Sequence, residues 1–133
     1  MKKQIALIFI LLFTAAIGYS QTLEPAPDCS KLKNIKAFDP DYPKRTFTIN
    51  GTTQESYENG VLHLVWNVKR MSDCEYEITC TKKNGDSQME IGDRIVMTIV
   101  SVDDDCFTAK RTFYCKNFPQ GDVDPGSTYC LSK

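Results

Sequence analysis

Apolar side chains recur at every second residue through most of the chain that follows the first twenty residues. A period of two is typical of a β-strand with one buried face, whereas an amphipathic helix repeats at three and four residues. The pattern is cleanest between residues 73 and 81, where Cys74, Tyr76, Ile78 and Cys80 would all face one side. No helix of useful length is indicated, so the chain is expected to be all-β.

Most of the predicted strands carry this alternation or are bounded by turn residues. They are residues 45–49, 52–58 as a polar edge strand, 61–69, 73–81, 94–102, 106–115 and a short last strand near 127–131. Asn59-Gly60 predicts a type I′ hairpin, because both positions accept positive φ. The Pro/Gly-rich tail from about residue 116 is predicted to be irregular up to Gly126. Six or seven antiparallel strands predict a small barrel or a sandwich.

The alternation also assigns a core face to each strand. The predicted core residues include Leu62, Leu64, Trp66 and Val68 on one strand, and Phe107, Ala109, Phe113 and Cys115 on another. The segment 94–102 is apolar on both faces, which predicts a central strand or one bent round a barrel.

Residues 1–20 have the features of a secretory signal peptide. Lys2 and Lys3 precede an apolar run, and Gly18-Tyr19-Ser20 supplies small residues before a cleavage point at Gln21. The apolar run is too short to span a bilayer, which takes ~20 residues. We expect residues 21–133 to form a single secreted or periplasmic domain without a membrane span. No cysteine follows the cleavage point directly, so no lipoprotein anchor is expected.

Six cysteines follow the predicted signal, an even number in an oxidising compartment, and they predict three disulfides. They are Cys29, Cys74, Cys80, Cys106, Cys115 and Cys130. Fifteen pairings are possible and the sequence does not choose among them; we take Cys29–Cys74, Cys80–Cys106 and Cys115–Cys130 as the working hypothesis. The spacings lack the close pairs of a zinc site, so no metal is expected at these residues.

Calcium could find oxygen ligands at Asp103, Asp104 and Asp105, or at Asp122 and Asp124. Neither group has the spacing of an EF-hand loop, and aspartate is common in turns because it bonds its own backbone. A calcium site near Asp103–Asp105 therefore stays open, and no cofactor is expected.

Catalytic chemistry has little support in this sequence. His63 is the single histidine, and it lies mid-strand with no nucleophile elbow or zinc-hydrolase motif in the chain. A pair of carboxylates could act as acid and base, as in glycosidases, but none of the 17 acidic residues is singled out by its position. We expect a protein that is not an enzyme.

Nucleic acid is not an expected partner. Without Lys2 and Lys3 the 16 basic residues become 14, which against 17 acidic ones gives a formal charge of −3. Phosphate binding would lack its main source of energy, since there is no basic stripe.

A partner site is predicted where apolar or aromatic side chains lie off the core face. Val61 and Val65 flank His63 opposite the core stripe of their strand, and Tyr114 shares its face with Lys110. We take Val61, His63, Val65 and Tyr114 as the candidate partner patch. The remaining aromatic residues could form a core or line a hydrophobic pocket.

The strings W-N-V-K-R-M-S-D-C-E-Y from Trp66, C-S-K-L-K from Cys29 and G-D-R-I-V-M-T-I from Gly92 resemble small exported proteins of unassigned function from Gram-negative bacteria. The resemblance covers about two thirds of the chain after the signal. It implies an antiparallel β domain with an architecture similar to that of lipocalins, and it brings no catalytic residues.

Together these features predict an exported, disulfide-stabilised β domain that binds an apolar small molecule or a protein partner, or that has a structural role. The alternatives are an inhibitor of a secreted hydrolase and a small carboxylate-dependent hydrolase. Ligand and oligomeric state are not indicated by the sequence.

Overall fold

Eight β-strands follow one another along residues 24–133, the part of the chain that the computed structural model describes. The strands are β1 (Asn34–Asp39), β2 (Tyr42–Asn50), β3 (Thr53–Glu58), β4 (Val61–Arg70), β5 (Glu75–Lys83), β6 (Arg94–Asp103), β7 (Cys106–Cys115) and β8 (Phe118–Leu131). A 3₁₀ helix, Ser30–Lys33, precedes them. The predicted signal peptide lies outside the described residues.

Each strand pairs antiparallel with the next one, and β8 pairs with β1 to close a barrel. The prediction of an all-β antiparallel barrel is confirmed, with eight strands rather than six or seven. Such up-and-down connectivity is also that of lipocalin barrels. The seam between β1 and β8 is short, with Ala37 opposite Leu131 and Phe38 opposite Cys130.

β1 accounts for the difference in strand number, because no strand is predicted over Asn34–Asp39. The prediction of an irregular tail up to Gly126 is wrong, because the last strand, β8, begins at Phe118 and not near residue 127. The first half of β8 pairs with β7 alone. Pro119 and Pro125 fit there because a strand that pairs on one side can lack an N–H on the other side. Gly121 is required at φ 94°, where an added Cβ would lie 2.9 Å from Cγ2 of Thr112.

The inward faces of the strands form a single core, as the alternation predicts. Buried residues include Phe47, Leu64, Trp66, Val68, Tyr76, Ile78, Ile95, Met97, Ile99, Phe107 and Ala109. Leu62 and Cys74 are only partly buried. β6 belongs to the curved wall of the barrel, but Val100 on its outer side is 50% exposed, so the strand is covered on one face only.

The two ends of the barrel differ. At the closed end lie the β2–β3, β4–β5 and β6–β7 connections together with the 3₁₀ helix, which buries Leu32 in the core. Arg70 donates a hydrogen bond from Nη2 to the Leu32 carbonyl at 3.0 Å. At the open end lie the other connections, including the predicted Asn59-Gly60 turn, which is confirmed by φ values of 51° and 76°.

Two disulfides secure the closed end. Cys29–Cys74 ties the segment before the 3₁₀ helix to the residue before β5, as predicted. Cys106–Cys130 joins residues directly opposite each other on β7 and β8.

The predicted pairs Cys80–Cys106 and Cys115–Cys130 are wrong, and Cys80 and Cys115 are free thiols. Each predicted pair would join opposite ends of the barrel, because Cys80 and Cys115 lie near the open ends of β5 and β7. Cys80 and Cys115 are also separated from each other by β6. Two strand spacings amount to about 9.5 Å, beyond the ~7 Å that a disulfide can bridge between Cα atoms.

Candidate functional site: a cavity in the barrel

A cavity of about 540 Å³ occupies the barrel from its middle to the open end. This volume lies within the range of small-molecule sites, about 300 to 1,000 Å³. The apolar part of its lining consists of Phe47, Leu64, Trp66, Ile78, Met89, Ile95, Met97 and Phe113. Most of these residues lie on the inward faces of the strands. The alternating pattern that predicts the strands therefore also predicts most of the apolar lining of the cavity.

Among residues 24–133, Gln54 is the one buried side chain outside the hydrophobic, aromatic and cysteine residues, with 7% of its surface exposed. It lies on β3 opposite Ile49 on one neighbouring strand and Trp66 on the other, and it lines the cavity. Its Oε1 atom has no hydrogen-bond partner. A buried acceptor without a partner costs about 1 to 3 kcal/mol.

Trp66 is the single tryptophan of the chain and forms part of the cavity wall. Its Nε1 donates a hydrogen bond to Oγ of Ser56 at 3.0 Å. This bond satisfies the indole N–H, and it fixes the ring against β3.

Arg111 brings a positive charge to the cavity wall from the middle of β7. Its Nε donates a hydrogen bond to Oδ2 of Asp124 at 2.9 Å, and its Nη2 donates to the same oxygen. Nη1 donates to the hydroxyl of Tyr129 at 3.0 Å. The guanidinium also lies 5.1 Å from the centre of the Phe113 ring. The charge of the Arg111 guanidinium is therefore already balanced by Asp124 where it lines the cavity.

Asp124 is held by several donors on β7 and β8. Hydrogen bonds from Arg111 and from Oγ of Ser127, the latter at 2.7 Å, hold the pKa of the Asp124 carboxyl below its usual range. Burial raises the pKa of Tyr129, so its hydroxyl stays protonated beside Arg111. The pair adds no net charge to the cavity.

The rim of the cavity has more acidic than basic side chains apart from Arg111. Asp39, Glu58 and Asp86 are the acids, and Arg45 is the base. Arg45 lies 3.8 Å from Glu58 in an exposed ion pair, which contributes little stability. A ligand that enters from the open end therefore passes a mildly negative rim.

The candidate partner patch is not brought together as one surface. His63 lines the cavity near its rim, on the same strand as Val61, which is 68% exposed, and Val65, which is half-buried. Tyr114 lies on β7, with β5 and β6 between it and that group. Its ring stacks under the guanidinium of Arg94 at 4.9 Å.

The aspartates considered for calcium lie in separate parts of the barrel. Asp103 ends β6, and Asp104 and Asp105 form the β6–β7 connection, where Asp104 has a φ of 46°. Asp124 is bound to Arg111. Over residues 24–133 no three His, Cys, Asp or Glu side chains are grouped as metal ligands.

A second hollow, of about 450 Å³, lies at the closed end and is lined by residues including Lys33, Arg70 and Asp73. Lys33 and Asp73 form an ion pair at 2.8 Å across it. The Arg70 guanidinium lies 4.9 Å from the centre of the Tyr76 ring. The Lys33–Asp73 ion pair and the hydrogen bond from Arg70 to the Leu32 carbonyl link the 3₁₀ helix to the barrel.

Gln54 and Arg111 were not among the predicted site residues. A signal for Arg111 exists in the sequence, because it occupies the core face of its strand between Ala109 and Phe113. Gln54 lies in a strand that is polar on both faces, so nothing in the sequence indicates that its side chain points inward.

Comparisons with protein-family models, curated proteins and solved structures find no significant match to the chain. Among residues 24–133 there is no helix with the length and hydropathy that crossing a membrane would require.

Proposed function

We propose that this protein is an exported, non-catalytic binding protein that holds a small, mainly apolar molecule inside its barrel. The observation that carries the proposal is the cavity of about 540 Å³, whose lining is largely apolar and includes the buried side chain of Gln54. A barrel that served only as a scaffold would be more stable with this space filled, because interiors normally pack without large voids.

Export is supported by the signal-like residues 1–20 and by the two disulfides, which persist in oxidising compartments. We propose a secreted or periplasmic location, with the mature chain beginning at Gln21. A ligand taken up there would be shielded from water by the barrel wall.

Trp66 provides the test, because the only indole of the protein lines the cavity. The oxidised mature protein is titrated with N-phenylnaphthylamine, an uncharged apolar dye that becomes fluorescent out of water. We expect dye emission to rise with saturation at one site per chain, with energy transfer from Trp66.

Two variants make the same chemical change inside and outside the barrel. Ile95→Phe adds a ring to the cavity wall, whereas Ile91→Phe changes a side chain that is 68% exposed. We expect the first to weaken dye binding about tenfold, or ~1.4 kcal/mol, and the second to leave it unchanged. Thermal melts check that both variants fold, and Met97→Phe is the substitute if Ile95→Phe does not. Absence of saturable binding, or equal affinity of the two variants, would contradict the proposal.

A further inference from the structure

We propose that Asn59 is a site of spontaneous deamidation, and that contacts of the fold protect the other Asn-Gly pairs, Asn50-Gly51 and Asn84-Gly85, from the same reaction. The glycines of all three pairs lie in connections between strands and have positive φ. Because the dipeptide is the same in each pair, a difference in rate must come from the surrounding structure. The reaction consumes only water and is independent of the proposed ligand binding.

The chemistry sets two requirements on an Asn-Gly pair. The backbone nitrogen of Gly60 loses its proton to base and attacks Cγ of Asn59, which forms the new C–N bond of a succinimide. The Cγ–Nδ2 bond breaks, and the nitrogen takes up a proton and leaves as ammonia. Water then opens the imide on either side and leaves aspartate or isoaspartate at position 59. The glycine N–H must therefore be free to ionise, and the asparagine side chain must be free to reach it.

Asn59 and Gly60 meet both requirements. They form the exposed β3–β4 turn at the open end of the barrel. Among residues 24–133, neither the Asn59 side chain nor the Gly60 N–H has a hydrogen-bond partner, whereas the backbone N–H of Asn59 donates to the Lys44 carbonyl at 3.0 Å. A Cβ added at Gly60 would meet no atom within 4 Å, so water and base can approach the turn.

The pair Asn50-Gly51 fails the first requirement. The N–H of Gly51 donates to Oδ1 of Asn34 at 2.9 Å, and Asn34 lies opposite Asn50 on β1. A hydrogen bond donated by the N–H favours its protonated form. Gly51 is therefore the weaker nucleophile of the two exposed turns.

The pair Asn84-Gly85 fails the second requirement. Nδ2 of Asn84 donates to the Leu62 carbonyl at 3.3 Å, and the backbone N–H of Asn84 donates to the His63 carbonyl at 2.8 Å. The side chain is also half-buried. These bonds hold the amide on β4, and the first of them must break before Cγ can move to the nitrogen of Gly85.

The product changes the charge of the open end. A carboxylate at position 59 adds a negative charge beside Glu58, which lines the mouth of the cavity. The deamidated protein is therefore a more acidic form that isoelectric focusing separates from the original.

The experiment compares the three pairs within one sample. The oxidised mature protein is kept at mildly alkaline pH in heavy-oxygen water, which labels only conversions that precede digestion, and peptide mapping by mass spectrometry follows each pair with time. We expect Asn59 to convert at least about fivefold faster than Asn50 or Asn84, the factor that one neutral hydrogen bond contributes. In guanidinium chloride the three rates should converge. Conversion of Asn50 or Asn84 as fast as Asn59 in the native protein, or the same ranking after unfolding, would overturn the inference.

Variants of Asn34 test the protection of Asn50. Asn34→Ala frees the N–H of Gly51 and should accelerate conversion of Asn50 about fivefold without changing Asn59. Asn34→Asp keeps an acceptor oxygen and should leave Asn50 protected. Asn117→Ala, the same change at an exposed residue of the β7–β8 connection, is the matched control. Unchanged conversion of Asn50 in an Asn34→Ala protein that folds by thermal melt would contradict the account. If Asn34→Ala does not fold, the wild-type comparison decides.

Discussion

The two free thiols lie in different surroundings. Cys80 is 1% exposed, and burial raises the pKa of its thiol. Cys115 is partly exposed near the open end of β7. Because alkylation requires access to the sulfur atom, Cys115 is the free thiol that a reagent can reach in the folded protein.

We therefore predict that iodoacetamide modifies Cys115 in the native protein and Cys80 only after unfolding. Mass spectrometry without reductant should count one alkylated cysteine in the native protein and two in urea. Cys115→Ser should remove the fast site and leave the slow one. No alkylation in urea would contradict the separation of the two residues by β6.

The sequence predicts which apolar side chains point into the barrel, but it does not predict which polar side chains do. Trp66, Ile78 and Ala109 face the core as the alternation predicts. Gln54 has no apolar neighbours two residues away to show its direction, because β3 is polar on both sides. The partner of Arg111 is thirteen residues away on β8, so the pairing depends on strand register.

At the scale of elements, β7 and β8 are joined by the bonds of Asp124. The carboxyl pKa of Asp124 is lower in the folded protein than in the unfolded chain, where it is about 3.9. Its contribution to stability is therefore fully present above that value, and it is lost as pH falls through the folded pKa.

We predict that Asp124→Asn lowers the free energy of unfolding by about 1 to 2 kcal/mol at pH 7, as expected for partly exposed charge-assisted bonds. The difference from wild type should shrink as pH falls below the unfolded value of about 3.9 and through the lower pKa of the folded carboxyl. Urea unfolding at several pH values measures it, with Asp122→Asn, an exposed change on the same strand, as the control. A difference that does not depend on pH would argue against the ion pair.

Strand boundaries were predictable where the alternation is unbroken. β7 coincides with the predicted segment 106–115, and β4 and β6 each extend one residue beyond theirs. β8 could not be recognised, because Pro119, Gly121 and Pro125 are normally signals of irregular chain. They are compatible with a strand because the first half of β8 pairs with β7 alone, which follows from the short seam between β1 and β8.

At the scale of the whole molecule, both crosslinks lie at the closed end, and the open end has none among residues 24–133. The Cys29–Cys74 bond encloses a separation of 45 residues and the Cys106–Cys130 bond one of 24. Loop entropy makes these worth about 4 and about 3.4 kcal/mol in the unfolded chain.

We predict that the double change Cys29→Ala and Cys74→Ala costs slightly more stability than Cys106→Ala and Cys130→Ala. The first should also release the 3₁₀ helix, so that amide exchange at Leu32 accelerates more than exchange in β5. Urea unfolding and hydrogen exchange measure the two effects. Unchanged protection at Leu32 would show that packing alone retains the helix.

The barrel has an enclosed interior only after the seam between β1 and β8 has formed. The wall is completed where Ala37 and Phe38 of β1 meet Leu131 and Cys130 of β8, so β1 has no second partner strand until β8 has been made. A polypeptide that lacks β8 has an open sheet and no enclosed interior. Under the proposed function, a guest molecule is therefore acquired after β8 has paired with β1, from the surroundings that the folded barrel then occupies.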